Sequence, residues 1–257
     1  MSRTLLIDGD TLIFEACAAH EYEAQWDYWL WTLHGDFEIT VNHFKDTLAA
    51  IVKGLKADRT IIALSDEKRW RPQVMPMYKA NRKKTRKPVT YLPLREWCRE
   101  THEVFQRPTL EGDDVLGILA THPSLIKGEK IVVSIDKDMK TIPGLHLNYS
   151  EARGSDDYES FVVRRAVEDA DWFHMFQTLT GDKTDGYPGC PGIGPVNAEK
   201  LLAGPSQTWW PTVIAAYAKK GLGEEVALQN ARVARICRHT DYDYEKKEVI
   251  PWTPPKA

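Results

Sequence analysis

Acidic residues close several hydrophobic runs along this 257-residue chain. The runs are LLIDGD at 5–10, IIALSD at 61–66 and VVSIDKD at 132–138. Apolar runs of this length, rich in branched side chains, predict buried parallel strands. The carboxyl ends of parallel strands meet at one edge of an open α/β sheet, and ligands bind at that edge. We therefore expect the carboxylates to converge there.

Two further acidic motifs, EGDD at 111–114 and GDKTD at 181–185, extend the set. The candidate metal ligands are Asp8, Asp66, Glu111, Asp113, Asp114, Asp136, Asp138, Asp182 and Asp185. A single residue such as Asp113 could instead cap a helix. Carboxylates a few ångströms apart raise one another's pKa unless a cation separates them. Oxygen ligands favour Mg²⁺ or Mn²⁺ over zinc, and two such ions about 4 Å apart suit phosphoryl transfer.

The net charge of -3 conceals a basic block. Ten Lys or Arg residues and no Asp or Glu lie between Lys68 and Arg95. A block of this density favours a polyanionic partner. Because the stretch 67–90 has few apolar residues, we expect it to be mobile without DNA and ordered with it. The candidate DNA-binding residues in this block are Lys83, Lys84, Arg86 and Lys87.

The four cysteines are far apart and form no CxxC pair, which argues against a disulfide framework or a zinc site. No apolar run approaches the roughly 20 residues of a membrane span. These features predict a soluble, intracellular protein.

Strand and helix signals alternate over the first 150 or so residues, which predicts an α/β fold with a parallel sheet covered on both faces. From residue 156 onward the signals are helical, so we expect a core domain at 1–155 and a helical region at 156–257. The aromatic stretch 28–31 and the stretch 37–41 predict a hairpin whose turn lies at 34–36. Its rings could stack on nucleobases or pack on a neighbouring element.

A Gly-Pro run follows the last acidic motif, with glycines at Gly189, Gly192 and Gly194 around Ile193. Glycine lets the backbone approach another chain closely, and amides at the start of the next helix can hold a phosphate. Gly-x-Gly before a short helix is typical of a helix-hairpin-helix element, which grips duplex DNA without reading its sequence. The alternative is a tight structural turn.

Taken in order, these motifs resemble the structure-specific 5′ nucleases, which include flap endonucleases and small phage 5′-to-3′ exonucleases. The resemblance spans roughly residues 4–203 and includes YKANR at 78–82. It implies a PIN-like nuclease core with a parallel-type central sheet flanked by helices. It also implies a C-terminal helix-three-turn-helix at about 182–202, with a potassium ion held by backbone carbonyls in its turn.

The resemblance also assigns roles. One metal region would contain Asp8, Asp66, Glu111, Asp113 and Asp114, and the other would contain Asp136, Asp138, Asp182 and Asp185. The basic segment at about 67–90 would form an arch in which Lys79 and Arg82 contact the scissile phosphate. Pro72 and Pro76 depart from a long, fully helical arch.

The expected function is a two-metal 5′-to-3′ exonuclease or 5′ flap endonuclease that leaves 5′-phosphorylated products. It would act as a monomer on DNA ends, flaps or nicks, in phage DNA replication or host DNA degradation in the host cytoplasm. Activity on RNA in RNA–DNA hybrids is left open by the sequence. The alternatives are a PIN-like ribonuclease and a non-catalytic DNA-junction binding protein.

Overall fold

The computed structural model describes residues 2–255, except for the side chains of Lys83 and Lys84. Its centre is a six-stranded sheet in the order β5-β4-β1-β6-β7-β8, in which only β8 is antiparallel to its neighbour. The strands of this sheet are β1 (Arg3–Asp8), β4 (Arg59–Ala63), β5 (Val104–Phe105), β6 (Glu129–Val133), β7 (Gly144–Leu147) and β8 (Val162–Arg165). Two separate hairpins pair β2 (Glu21–Asp27) with β3 (Leu30–Gly35) and β9 (Tyr242–Asp243) with β10 (Glu248–Val249).

Helices cover both faces of the sheet and also form the C-terminal region. They are α1 (Gly9–Ala19), α2 (Phe37–Gly54), α3 (Arg71–Val74), α4 (Tyr91–Thr101), α5 (Gly112–Thr121), α6 (Tyr149–Ala152), α7 (Val167–Thr180), α8 (Pro195–Leu201), α9 (Trp209–Ala218) and α10 (Glu224–Ala234). Short 3-10 helices occupy Ala80–Lys84, Lys137–Thr141, Glu159–Phe161, Ser206–Thr208 and His239–Asp241.

Alternate residues of β1 face opposite layers. Leu5 and Ile7 pack with α1, α2 and α4, whereas Leu6 packs with α5 and the segment after α10. All three side chains are fully buried. This two-sided burial explains why the strand is a continuous apolar run and not an alternating one.

A third cluster forms the helical region. Trp209, Trp210 and Tyr217 of α9 pack with Met175 of α7 and Ala231 of α10. The predicted α/β class, with helices on both faces and a helical C-terminal region, is confirmed. The sheet itself extends to Arg165, past the boundary predicted at residue 155, because β8 joins its edge.

The predicted aromatic hairpin was wrong in its boundaries. The observed hairpin is β2–β3, its turn is Tyr28–Trp29, and residues from Phe37 onward form α2. Asp36 caps α2 by accepting from the Ile39 amide, so this polar residue starts a helix where we expected a turn. Tyr28 and Trp29 are among the most exposed side chains of the described protein.

Part of the basic segment is buried, although the segment has few apolar residues. Trp70, Arg71 and Tyr78 are each less than 10% exposed. Tyr78 packs with Tyr187 and Val233 of the helical region. As its prolines suggested, the segment contains only short helical turns, α3 and the 3-10 helix at 80–84.

A candidate metal centre at the carboxyl edge of the sheet

The carboxyl ends of β1 and β6 bring the first acidic groups together. Asp8 ends β1, and Ser134 directly follows β6, the parallel neighbour of β1. The Ser134 hydroxyl donates to Asp8 Oδ2 at 2.6 Å, and the Thr11 hydroxyl donates to the same oxygen at 2.7 Å. Asp8 is thus fixed at the sheet edge predicted for the ligand site.

Two carboxylates at this edge are costly to ionise. Burial raises the pKa of Asp8 from 3.8 to about 6, although its hydroxyl donors oppose the shift. Burial also raises the pKa of Asp113 well above its usual range, and the nearby charges of Asp8 and Asp136 raise it further. The repulsion expected from the sequence is therefore present, and a cation would relieve it.

Glu111 faces the same region, but cationic side chains compensate its negative charge. Lys79 Nζ lies 2.7 Å from Glu111 Oε1, and Arg71 donates to Oε2 at 2.6 Å. Burial alone would raise the pKa of Glu111, but Lys79 and Arg71 lower it to about 2. Lys79 and Arg71 therefore favour the charged form of Glu111.

The second acidic group lies beside the first. Lys137 donates to both Asp182 and Asp138, and Gln177 of α7 donates to Asp138 Oδ1 at 2.7 Å. Burial raises the pKa of Asp138, and Asp136 raises it further. Asp182 accepts from the amides of residues 184 and 185, so the turn at the end of α7 holds it in place.

Within residues 2–255, no three His, Cys, Asp or Glu side chains converge closely enough to enclose a metal ion. Ammonium groups lie among the acids: Lys79 contacts Glu111 and Asp185, and Lys137 contacts Asp138 and Asp182. The donor set nonetheless fits a hard divalent cation, because its oxygens are carboxylates, and because burial and the charges of Asp8 and Asp136 raise the pKa of Asp113, which a bound cation would lower.

Asp114 has a structural role. Its side chain is completely buried, and its two oxygens accept a bidentate pair of hydrogen bonds from the Arg71 guanidinium at 2.7 and 2.8 Å. Trp70 Nε1 and the Cys237 amide donate to it as well. Both oxygens of Asp114 already accept these hydrogen bonds, and a metal ion would have to displace the buried arginine. We therefore no longer count Asp114 among the candidate metal ligands.

Asp66 also forms structural hydrogen bonds away from the other acids. It accepts from the Thr109 amide at 2.9 Å and from Gln106 at 3.3 Å, and so braces the loop before α5. Asp10 takes the position beside the site instead. It accepts from the Ser65 amide at 2.8 Å and the Tyr91 hydroxyl at 2.9 Å. The DGD pattern at 8–10 was the sequence signal for Asp10.

The basic segment docks on the acidic turn at 182–187. The Lys79 amide donates to the Asp185 carbonyl at 2.6 Å, and Arg82 donates to Asp185 Oδ1 at 2.6 Å. Gly186 permits this approach, because a Cβ there would lie 2.8 Å from the Met77 carbonyl oxygen. Lys79 itself has a φ of 50°, a left-handed conformation that is uncommon for a residue with a side chain.

The glycines of the Gly-Pro run divide into two classes. Gly189 is internal: its amide donates to Asn230 Oδ1, and a Cβ would lie 2.3 Å from the Gly181 nitrogen. Its predicted role in DNA binding is therefore corrected to a structural one. Gly192 and Gly194 are exposed, and nothing lies within 4 Å of a Cβ at Gly194. Ile193 between them is partly buried against the helical core.

Comparison with known proteins decides the family. The family model described as 5′-3′ exonuclease, N-terminal resolvase-like domain, matches residues 3–165. The chain belongs to this 5′-3′ exonuclease family. An exodeoxyribonuclease of Enterobacteria phage T3 is 33% identical over 97% of this chain and 92% of its own length. An exonuclease of Escherichia phage T7 is 31% identical over 97% of this chain and 93% of its own.

Solved structures agree with the 5′-3′ exonuclease family fold. A bacteriophage T5 protein co-crystallized with metal ions superposes with a TM-score of 0.67 at 18% identity, covering 90% of this chain and 89% of that one. At this identity the likeness establishes the shared fold. No helix within residues 2–255 of this family member is long and apolar enough to cross a membrane.

Two further predicted DNA-binding residues, Arg86 and Lys87, lie on the surface of the basic segment. Arg86 pairs with Glu21 of β2, and Lys87 Nζ lies 3.7 Å from the centre of the Tyr91 ring. Lys83 and Lys84 were predicted to contact DNA, and their side chains lie outside the described residues. Arg86 is thus held by an acid that DNA would have to replace.

Proposed function

We propose that this protein hydrolyses DNA phosphodiester bonds at 5′ ends and 5′ flaps with two divalent metal ions, leaving 5′-phosphorylated products. The observation that carries the proposal is that Asp8 and Asp136, at the carboxyl edge of the sheet, lie near enough to Asp113 for their charges to raise its pKa, with Lys79 near enough to oppose them. A binding protein gains nothing from carboxylates aimed at phosphate, because they repel it.

Seven carboxylates remain as the proposed metal ligands after Asp66 and Asp114 are set aside. They are Asp8, Glu111, Asp113, Asp136, Asp138, Asp182 and Asp185. Bound Mg²⁺ or Mn²⁺ would supply an activated water and stabilise the leaving oxygen. A potassium ion held by carbonyls of the 181–194 turn is part of the same proposal.

Lys79 and Arg82 are proposed to meet the scissile phosphate. Both now rest on acids that we assign to the metals, Glu111 and Asp185. Because a divalent ion competes for the same oxygens, metal binding would leave these cationic groups to the phosphate. Positive charge placed there stabilises the charge that develops as the bond breaks.

The duplex beside the cut would lie against the exposed backbone at Gly192 and Gly194. A side-chain-free backbone admits the sugar-phosphate strand closely and reads no bases. We place the activity in phage DNA replication or host DNA degradation, in the cytoplasm of the host cell.

Labelled substrates test the activity. The protein is incubated with 5′-labelled and 3′-labelled duplex and flap DNA, with Mg²⁺ or with EDTA. We expect Mg²⁺-dependent release of short products from the 5′ label and progressive shortening of the 3′-labelled strand. Cleavage from the 3′ end, or in EDTA, would contradict the proposal.

A matched pair of variants ties the activity to the site. Asp113→Asn is expected to abolish cleavage while DNA binding persists, whereas Asp156→Asn, on an exposed loop, leaves both unchanged. Cleavage of RNA and not DNA would instead favour the PIN-like ribonuclease. Tight DNA binding without cleavage under any metal would favour the junction-binding protein.

A further inference from the structure

A cleft lies at the edge of the sheet opposite the edge that carries the carboxylates. It has a volume of about 740 Å³. Gly144, the first residue of β7, and Thr121, the last of α5, help to line it. Since β7 and β1 run parallel to β6 between them, the start of β7 and the end of β1 lie at opposite edges.

The cleft is rich in cationic side chains. We call it the arginine cleft and define it by Arg164, Arg165, Arg235, Arg238 and His239. Strand β8 supplies the first two residues, and the segment after α10 supplies the others. The start of α7 completes the wall, and the amino end of a 14-residue helix favours negative charge.

Three side-chain nitrogens of the residues that define the arginine cleft have no hydrogen-bond partner in the described protein. Arg165 Nε, Arg238 Nε and His239 Nδ1 are buried and have no hydrogen-bond partner among residues 2–255. Arg238 is only 8% exposed, so water does not readily satisfy it. Buried polar atoms without partners are rare, because each has lost its hydrogen bonds to water and gained none in the protein.

Acids offset only part of the positive charge. Asp171 lies 2.7 Å from Arg238 and 3.5 Å from Arg235, and Asp241 lies 2.9 Å from Arg235. Asp169 also lines the cleft, but its side chain accepts from the Ala166 amide as part of the helix cap.

The two arginines of β8 are less compensated. Neither Arg164 nor Arg165 forms an ion pair within the part of the chain that the structure describes. Burial lowers the pKa of Arg238, and the charge of Arg235 lowers it further. An anion in the cleft would relieve this repulsion.

We propose that the arginine cleft binds the phosphate group of a nucleotide, carried either by a free mononucleotide or by a DNA strand. Planar guanidinium groups match phosphate oxygens in pairs, and the volume lies within the range of small-ligand sites. A mononucleotide is also the product class that an exonuclease releases.

Two helices connect the arginine cleft to the metal centre. Helix α7 begins at the cleft and ends directly before the acidic turn at 181–185, about 21 Å away at 1.5 Å per residue. Helix α5 also joins the two edges, since it starts beside Glu111 and ends at Thr121.

Calorimetry in EDTA tests the site without metal-dependent binding at the carboxylates. The probes are inorganic phosphate, deoxyadenosine 5′-monophosphate and a short single-stranded oligonucleotide. We expect saturable binding with one site per chain, weakened roughly tenfold or more by the double variant Arg164→Ala with Arg165→Ala. Arg153→Ala, an exposed arginine outside the cleft, should bind as the unmodified protein does.

A second variant separates loss of charge from loss of space. Val167→Trp keeps every arginine but fills the cleft from an exposed position, so it should also abolish binding. Mononucleotide binding that the double variant loses identifies a free nucleotide as the ligand, and a loss confined to the oligonucleotide identifies a DNA strand. No saturable binding of any probe, or equal affinity in the double variant and Arg153→Ala, would overturn the proposal.

Discussion

Lys79 Nζ lies 2.7 Å from Glu111 Oε1, so the basic segment is joined to the N-cap of α5 by an ion pair between residues far apart in sequence. The lysine side chain is only 12% exposed. Lys79, which we expect to act on phosphate, is thus paired with Glu111, which we expect to bind metal. The pair links the resting position of the segment to the metal centre.

Replacing Lys79 by alanine should lower the single-turnover cleavage rate about 100-fold or more while the dissociation constant for DNA changes little. The reason is that its charge meets the phosphate most strongly in the transition state. Single-turnover kinetics and binding titrations measure the two effects, and Lys68→Ala, an exposed residue of the same segment, is the control. A large loss of affinity at an unchanged rate would reduce Lys79 to a steering residue.

The pKa of Asp8 predicts a pH-dependent cost. Because burial raises it from 3.8 to about 6, the metal-free protein has its full stability from this group below pH 3.8 and loses it as the pH rises through 6. The difference corresponds to about 3 kcal/mol. In EDTA, Asp8→Asn should therefore gain stability over the unmodified protein between pH 4 and pH 7 by urea unfolding. A constant difference across that range would contradict the shift.

Arg71 should be among the most sensitive structural positions. It joins Asp114 and Glu111 to the carbonyls of Val233 and Arg235, and only 2% of it is exposed. Arg71→Ala leaves a buried carboxylate unpaired and should cost about 3 to 5 kcal/mol in urea unfolding. Arg99→Ala, which breaks an exposed pair, should cost under about 1 kcal/mol. Similar costs for the two would show that Asp114 finds another partner.

The glycine turn offers a contrast between neighbouring positions. Gly189→Val should lower the free energy of unfolding by about 3 kcal/mol, because φ is +65° and the added Cβ meets backbone. Gly194→Val meets nothing and should change stability by less than about 1 kcal/mol.

On function, Gly194→Val should weaken binding of duplex-containing substrates and spare hydrolysis of short single strands. Parallel assays on both substrates check this. Equal reductions on the two would indicate a folding defect and not a role of this backbone in holding the duplex.

Binding should depend steeply on salt through the basic segment. Replacing Lys83, Lys84, Arg86 and Lys87 together by alanine should reduce the slope of log affinity against log salt by about 0.9 for each phosphate that the variant no longer neutralises. Replacing Lys45, Lys53, Lys246 and Lys247, exposed lysines elsewhere, is the control and should leave the slope unchanged. An unchanged slope in the first variant would show that these residues form only a solvated face.

The sequence by itself determined the parallel sheet and the edge at which Asp8 and Asp136 lie. Both follow from local rules: a buried strand reads as a continuous apolar run, and the residue after it lies at the sheet edge. The motif order also identified the 5′ nuclease resemblance. These properties depend on neighbouring residues in the chain and need no knowledge of distant contacts.

Tertiary structure alone decided which acids stay free. Asp113 and Asp114 are adjacent in sequence, yet Asp114 pairs with Arg71, whereas burial and the nearby charges of Asp8 and Asp136 raise the pKa of Asp113. The difference arises because one residue of α5 faces the basic segment and its neighbour faces Asp8 and Asp136. Pairing between residues distant in sequence sets the charge state of each carboxylate, and that information exists only once the chain has folded.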